Sequence, residues 1–145
     1  MPYKDRNKKI QAQYKYMSTL TGYLKELYNS AKRRNKKIRK GRKKHHFDLE
    51  WLEFTNVFWN QVETLGGIYC AYTKEPMTHI RGSGHVRSNI SLDRIDNTKG
   101  YVKENIIFCT IAFNDMKGKV TIDACQRILD VYKERIEYVE EDDQL

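Results

Sequence analysis

Between Tyr14 and Tyr28, Met17, Leu20, Leu24 and Leu27 recur at three- and four-residue intervals, with Tyr28 beside them. That spacing predicts an amphipathic helix whose stripe must bury against the core or a partner chain. The next stretch, KRRNKKIRKGRKKHH, loses the stripe, and Gly41 interrupts it. It predicts either an exposed helix or a linker that orders on binding. Helical spacing returns in FDLEWLEFTNVFWNQVETLGG, through Trp51, Leu52, Phe54, Val57, Phe58 and Val62. Asp48 stands where it can cap that helix, and Gly66–Gly67 end it.

Beyond the glycines the period shortens. IYCAYT is a brief apolar segment followed by the turn-like KEPM, and THIRGSGHVRS is a polar, glycine-containing loop. NISLDRI and NIIFC predict two strands separated by a loop around Gly100. From about Ile111 the pattern is helical through AFNDMKG. A last helix starts near Thr121, with Ile122, Cys125, Leu129, Tyr132 and Ile136 on its apolar face. The acidic end, EYVEEDDQL, is expected to fray. No internal repeat is present. The sequence therefore predicts an α+β chain, mainly helical, with one strand–loop–strand–helix unit and flanking helices.

Charge changes this picture at one end. The first 46 residues carry 16 Lys and Arg against Asp5 and Glu26, while the remainder carries 11 against 17 acids, within a total of +8. Such a split predicts a basic, helical segment over 1–46 that grips a polyanion, a chemically distinct body over 47–138, and an acidic tail over 139–145. Nucleic acid is the expected polyanion, with Arg33, Arg34, Lys36, Lys37, Arg39, Lys40, Arg42, Lys43 and Lys44 as its contacts. Phosphate contacts of this kind make binding salt-dependent and carry little sequence readout. The chain has no apolar run long enough to span a bilayer, and its first residues lack a secretory core, so membrane attachment is not expected. Cys70, Cys109 and Cys125 are too few and scattered for a disulfide framework, which points to a reducing cytoplasm.

The polar residues between the two strands need an explanation that a core does not supply. Asp93 ends the first strand, and Asn114 lies on the helix after the second. Antiparallel strands with a helix laid across them can bring these two oxygens together. A carboxylate and an amide oxygen are hard ligands, suited to Mg2+ or Mn2+ rather than Zn2+.

Here the chain resembles a known family. CAYTKEPM, SLDRIDNTKGYVKENIIFC and IAFNDMKGK resemble the HNH nucleases, whose ββα-metal unit is strand, loop, strand and helix. The likeness covers roughly residues 60–130 and is greatest to a phage-associated branch with a SLDRID…GY…N core. The resemblance implies a Mg2+-dependent endonuclease, with Mn2+ able to substitute, acting on double-stranded DNA. Asp93 and Asn114 would hold the metal, Asn105 would tie the loop beneath the site with Asp96 in support, and Lys117 would contact a phosphate.

Two departures from the family pattern are visible. Many members follow the ligand acid with a histidine base, where this chain has Arg94, a poor base but a good phosphate clamp and stabiliser of transition-state charge. The proton must then go elsewhere. His85 is the first alternative, with Asp96 and His79 behind it. The second departure is in the cysteines. The partner positions of Cys70 and Cys109 are Thr73 and Ala112, and two thiols cannot close a tetrahedral zinc site, so no structural zinc is expected. Arg94 in the base position also favours another reading, a catalytically weakened or inactive nuclease-derived nucleic-acid-binding module. RNA as target, a host-cell cytoplasm and a homodimer all remain compatible with the sequence.

Overall fold

Thr19 divides the predicted N-terminal helix in two. In the computed structural model, which describes residues 2–36 and 46–142, α1 runs Pro2–Ser18 and α2 runs Leu20–Lys36. The Thr19 hydroxyl accepts from the Gly22 amide at 3.1 Å and donates to the Tyr16 carbonyl at 2.6 Å. A short hydroxyl side chain that binds nearby backbone breaks a helix as readily as it starts one, so the continuous stripe does not reveal the break. Leu24, Tyr28 and Ala31 form the buried face of α2, with Tyr23 beside them. The side chain of Met17 lies outside the described residues. Tyr23 donates to the Ile90 carbonyl at 2.8 Å and Tyr28 to the Leu49 carbonyl at 2.7 Å. The stripe is thus consumed by the core of the same chain.

Helix α3 spans Trp51–Leu65 and buries Phe54 and Phe58. Its N-cap is Glu50, not Asp48 as the sequence suggests. The Glu53 carboxylate reaches back to the Glu50 amide at 3.0 Å, and the Asp48 amide is taken by the Tyr101 carbonyl. That bond belongs to a parallel bridge between Phe47 and Tyr101, a long-range pairing that local pattern does not show. The helix ends in a Schellman arrangement. Gly66 is left-handed at φ 75°, and the Gly67 amide bonds the Val62 carbonyl at 3.0 Å.

Strands β1 (Ile90–Arg94) and β2 (Ile106–Thr110) form an antiparallel hairpin with Leu92 opposite Phe108 and Asp93 opposite Ile107. Alternation along β1 sends Ile90, Leu92 and Arg94 to one face and Ser91 and Asp93 to the other. Phe108, fully buried, meets the rings of Phe54 and Phe58 edge-on at centroid distances of 5.1 and 5.0 Å. This aromatic contact fixes α3 against the hairpin. A short helix, α4 (Ile111–Lys117), follows β2 directly, giving the order strand, loop, strand, helix. The result is a mainly helical α+β fold with a two-stranded hairpin followed by two helices.

The chain divides into two compact units, 1–114 and 115–145. Helix α2 contributes Tyr23, Leu24, Tyr28 and Ala31 to the core of the first unit. The second unit contains α5 (Ile122–Asp142), on which Ile122, Leu129 and Tyr132 are exposed rather than buried. The side chain of Ile136 and residues 143–145 lie outside the described residues. Among the described residues no helix is long and apolar enough to cross a membrane.

Candidate functional site

Ser91 and Asp93 share one face of β1, and Asn114 of α4 reaches that strand. Asn114 donates its amide to the Ser91 hydroxyl at 2.8 Å and to the Leu92 carbonyl at 3.2 Å. Leu92 precedes Asp93, so the two residues expected to meet are held one peptide apart. With its Nδ2 committed to the strand, Asn114 retains Oδ1 as its acceptor atom. Asp93 is buried, at 5% exposure, and its Oδ2 accepts from the Tyr72 hydroxyl at 2.7 Å.

Tyr72 is the site residue that sequence reasoning missed. It lies in the turn after Cys70, and its ring stacks on Phe113 at 4.5 Å with an interplanar angle of 19°. It therefore links the Asp93 carboxylate to the helix residue next to Asn114. Burial, reinforced by the carboxylate beside it, pushes the Tyr72 hydroxyl well above its usual range. It stays protonated and serves as a donor. The signal available in sequence was only an aromatic near the end of a brief apolar segment, which carries no orientation.

Cys70 and Cys109 are both fully buried. The Thr73 amide approaches the Cys70 sulfur at 3.5 Å, and the Lys74 amide bonds the Cys70 carbonyl at 2.9 Å, closing a tight turn. Burial pushes the Cys70 thiol up, but hydrogen bonds from Thr73 and neighbouring groups bring it net below its ordinary value.

The loop between the strands is organised by Asn105, itself buried. Its Oδ1 accepts from the Asp96 amide at 2.8 Å, and its Nδ2 donates to the Asp96 and Gly100 carbonyls at 3.0 and 2.9 Å. Asp96 accepts from both the amide and the hydroxyl of Thr98, and these bonds hold its carboxyl below the usual carboxylate range. It is a turn-former. Gly100 lies where an added Cβ would stand 2.0 Å from the His46 carbonyl oxygen.

Arg94 is turned to the same loop. Its Nη1 donates to the carbonyls of Asn97 and Lys99, both at 3.0 Å, and its guanidinium lies 5.4 Å from the Tyr101 ring centroid. Strand alternation places it on the face opposite Asp93. Through Nη1 it clasps the hairpin loop.

The other expected residues are spread more widely. His85 is exposed in the loop before β1, between Gly84 and Val86. His79 packs edge-on to Tyr23 of α2, 6.3 Å between ring centroids. Lys117 is the last residue of α4 and falls in the second unit. Arg33 is bonded to Glu26 at 2.6 Å and to Ser30 at 3.0 Å, and Arg34 is exposed. Lys36 closes α2, and its side chain lies outside the described residues, as do Lys37, Arg39, Lys40, Arg42, Lys43 and Lys44 entirely.

As a donor set for a hard cation, Asp93 and Asn114 are suited by oxygen type and few in number. Among the described residues no group of three or more His, Cys, Asp or Glu gathers where a metal could sit. No protein-family model, curated protein or solved structure matches this chain. What stands from the resemblance is the motif residues and a ββα-like topology consistent with a nuclease-like architecture.

Proposed function

We propose that this chain is a nuclease-derived nucleic-acid-binding module whose hydrolytic capacity is weakened or lost. Arg94 carries the reading. It occupies the position where the resemblance implies a histidine base, it cannot accept a proton at neutral pH, and its Nη1 is committed to the loop carbonyls of Asn97 and Lys99. The basic N-terminal sequence supplies the electrostatic grip, and nucleic acid is the partner that such a charge split fits. The test is supercoiled plasmid with Mg2+, Mn2+ or EDTA, followed on a gel beside a binding assay with matched DNA and RNA. Binding without nicking under every metal condition is expected. Metal-stimulated nicking that disappears in Asp93→Ala overturns the proposal.

One observation favours a second reading, a Mg2+-dependent DNA endonuclease of HNH type. The Asn114 amide nitrogen is anchored to Ser91 and Leu92, the two residues before Asp93, and an amide oxygen and a carboxylate are hard ligands. In that reading Asp93 and Asn114 hold a divalent cation, whose chemistry is to neutralise charge at a scissile phosphate. Tyr72 orients the carboxylate, and His85 takes the proton from the attacking water. The nicking outcome above is the result that selects this reading.

A further inference from the structure

A cleft of about 460 Å3 opens in the first unit beside the start of β1, between α2 and the glycine-containing loop. Tyr23, Arg81, His85, Asn89 and Ile111 are among its walls. We propose that this cleft is a phosphate subsite, and that it seats a phosphodiester of a bound polynucleotide. The polynucleotide part rests on the nucleic-acid reading above; the phosphate part stands on the cleft itself.

The sign of the charge is the first argument. Among the described residues the titratable walls are Tyr23, Arg81 and His85, with no carboxylate in the lining. Glu26 is an acid close enough to interact with Arg81, and it is already bonded to Arg33 and Ser30. A guanidinium matches phosphate geometry through its planar array of donors.

Preorganisation is the second. The Arg81 guanidinium lies over the Tyr23 ring at 4.5 Å, and the Tyr23 hydroxyl is fastened to the Ile90 carbonyl. The Arg81 Nε is enclosed without a hydrogen-bond partner, so the group is partly stripped of water and its charge is only partly compensated by the ring. An anionic oxygen on the open side of the guanidinium supplies that compensation.

The loop turns on two glycines and is tied down at its base. Gly82 and Gly84 are left-handed at φ 81° and 72°, with nothing within 4 Å of an added Cβ at either position. The base of the loop is pinned by the Asn89 amide, which accepts from the Thr78 hydroxyl and the Ile80 amide and donates to the Ile80 carbonyl. From Asn89, which lines the cleft, to Asp93 is four residues of extended chain, about 13 Å. A strand of nucleic acid that passes the Asp93 face therefore has a neighbouring phosphate within reach of the cleft.

Two pairs of variants of the full chain test this. Anisotropy of a fluorescein-labelled single strand and of the matched duplex is followed across a series of KCl concentrations. Arg81→Gln should weaken binding and lower the slope of log K against log salt by about 1, while Arg81→Lys retains the slope. Gly84→Asp should weaken binding and Gly84→Asn should not, since both residues tolerate left-handed backbone and the space is open. This second pair decides the matter if Arg81→Gln fails to fold. Parent-like affinity and slope in folded Arg81→Gln, or in Gly84→Asp, overturn the subsite and leave the nucleic-acid reading intact. If the parent binds no polynucleotide but binds inorganic phosphate by calorimetry, and Gly84→Asp abolishes that, the subsite stands and the nucleic-acid reading falls. Binding of neither probe by the parent overturns both.

Discussion

Tyr72 shows how much one side chain can organise. Its hydroxyl holds the Asp93 carboxylate and its ring holds Phe113, so a single residue couples strand β1 to helix α4. Tyr72→Phe keeps the ring stack and removes the bond to a charged acceptor. It should lower unfolding free energy by about 1 to 2 kcal/mol in a urea titration. At Asp96 the direction of a pKa shift gives a pH dependence. Bonds from Thr98 hold its carboxyl below the ordinary value in the folded chain, so the proton binds the unfolded chain more readily. The stabilisation is complete above the ordinary carboxylate range and fades as pH falls through the folded value. Asp96→Asn should therefore flatten the acid side of a melting-temperature profile. A profile superimposable on the parent's would show that the Thr98 bonds do not set the acid limb.

At the scale of elements, close approach of backbones matters more than propensity. The pairing of Phe47 with Tyr101 brings the His46 carbonyl against Gly100, leaving no room for a methyl group. Gly100→Ala must push that carbonyl away and with it the Tyr101 amide bond of 2.7 Å. A loss of about 3 kcal/mol is expected in chemical denaturation. Thr19 is the other element-scale device. Thr19→Ala removes the cap of α2 and should cost about 1 kcal/mol, seen as a lower thermal midpoint. Helices α2 to α5 were legible from three- and four-residue spacing and the strands from their apolar runs, whereas most of α1 carries no such stripe. The break at Thr19 and the cap at Glu50 were not, because both depend on which local hydrogen bond wins among several allowed ones.

For the whole molecule, the aromatic seam between α3 and the hairpin positions everything on the opposite face. Phe108→Ala opens a cavity beneath Phe54 and Phe58 and should destabilise the first unit by about 3 to 5 kcal/mol, read from the urea midpoint. Of the candidate site, Asp93, Asn105 and Asn114 were legible because the motif fixes residue type and spacing along the chain. Tyr72 and the Arg81 cleft were not, since each is completed by partners far away in sequence: Tyr72 by Asp93, and Arg81 by Tyr23 of α2.

By itself, the sequence determined the periodicities, hence most of the helices, the hairpin and the α+β class, together with the uneven distribution of charge. Those follow from local spacing and composition, which need no knowledge of distant neighbours. Only the tertiary structure decided where side chains point. The pleat of β1 put Arg94 on the far face from Asp93, α2 entered the core of the first unit, and a guanidinium came to lie on a tyrosine ring. Orientation depends on which segments pack together, and that packing is a property of the folded chain as a whole.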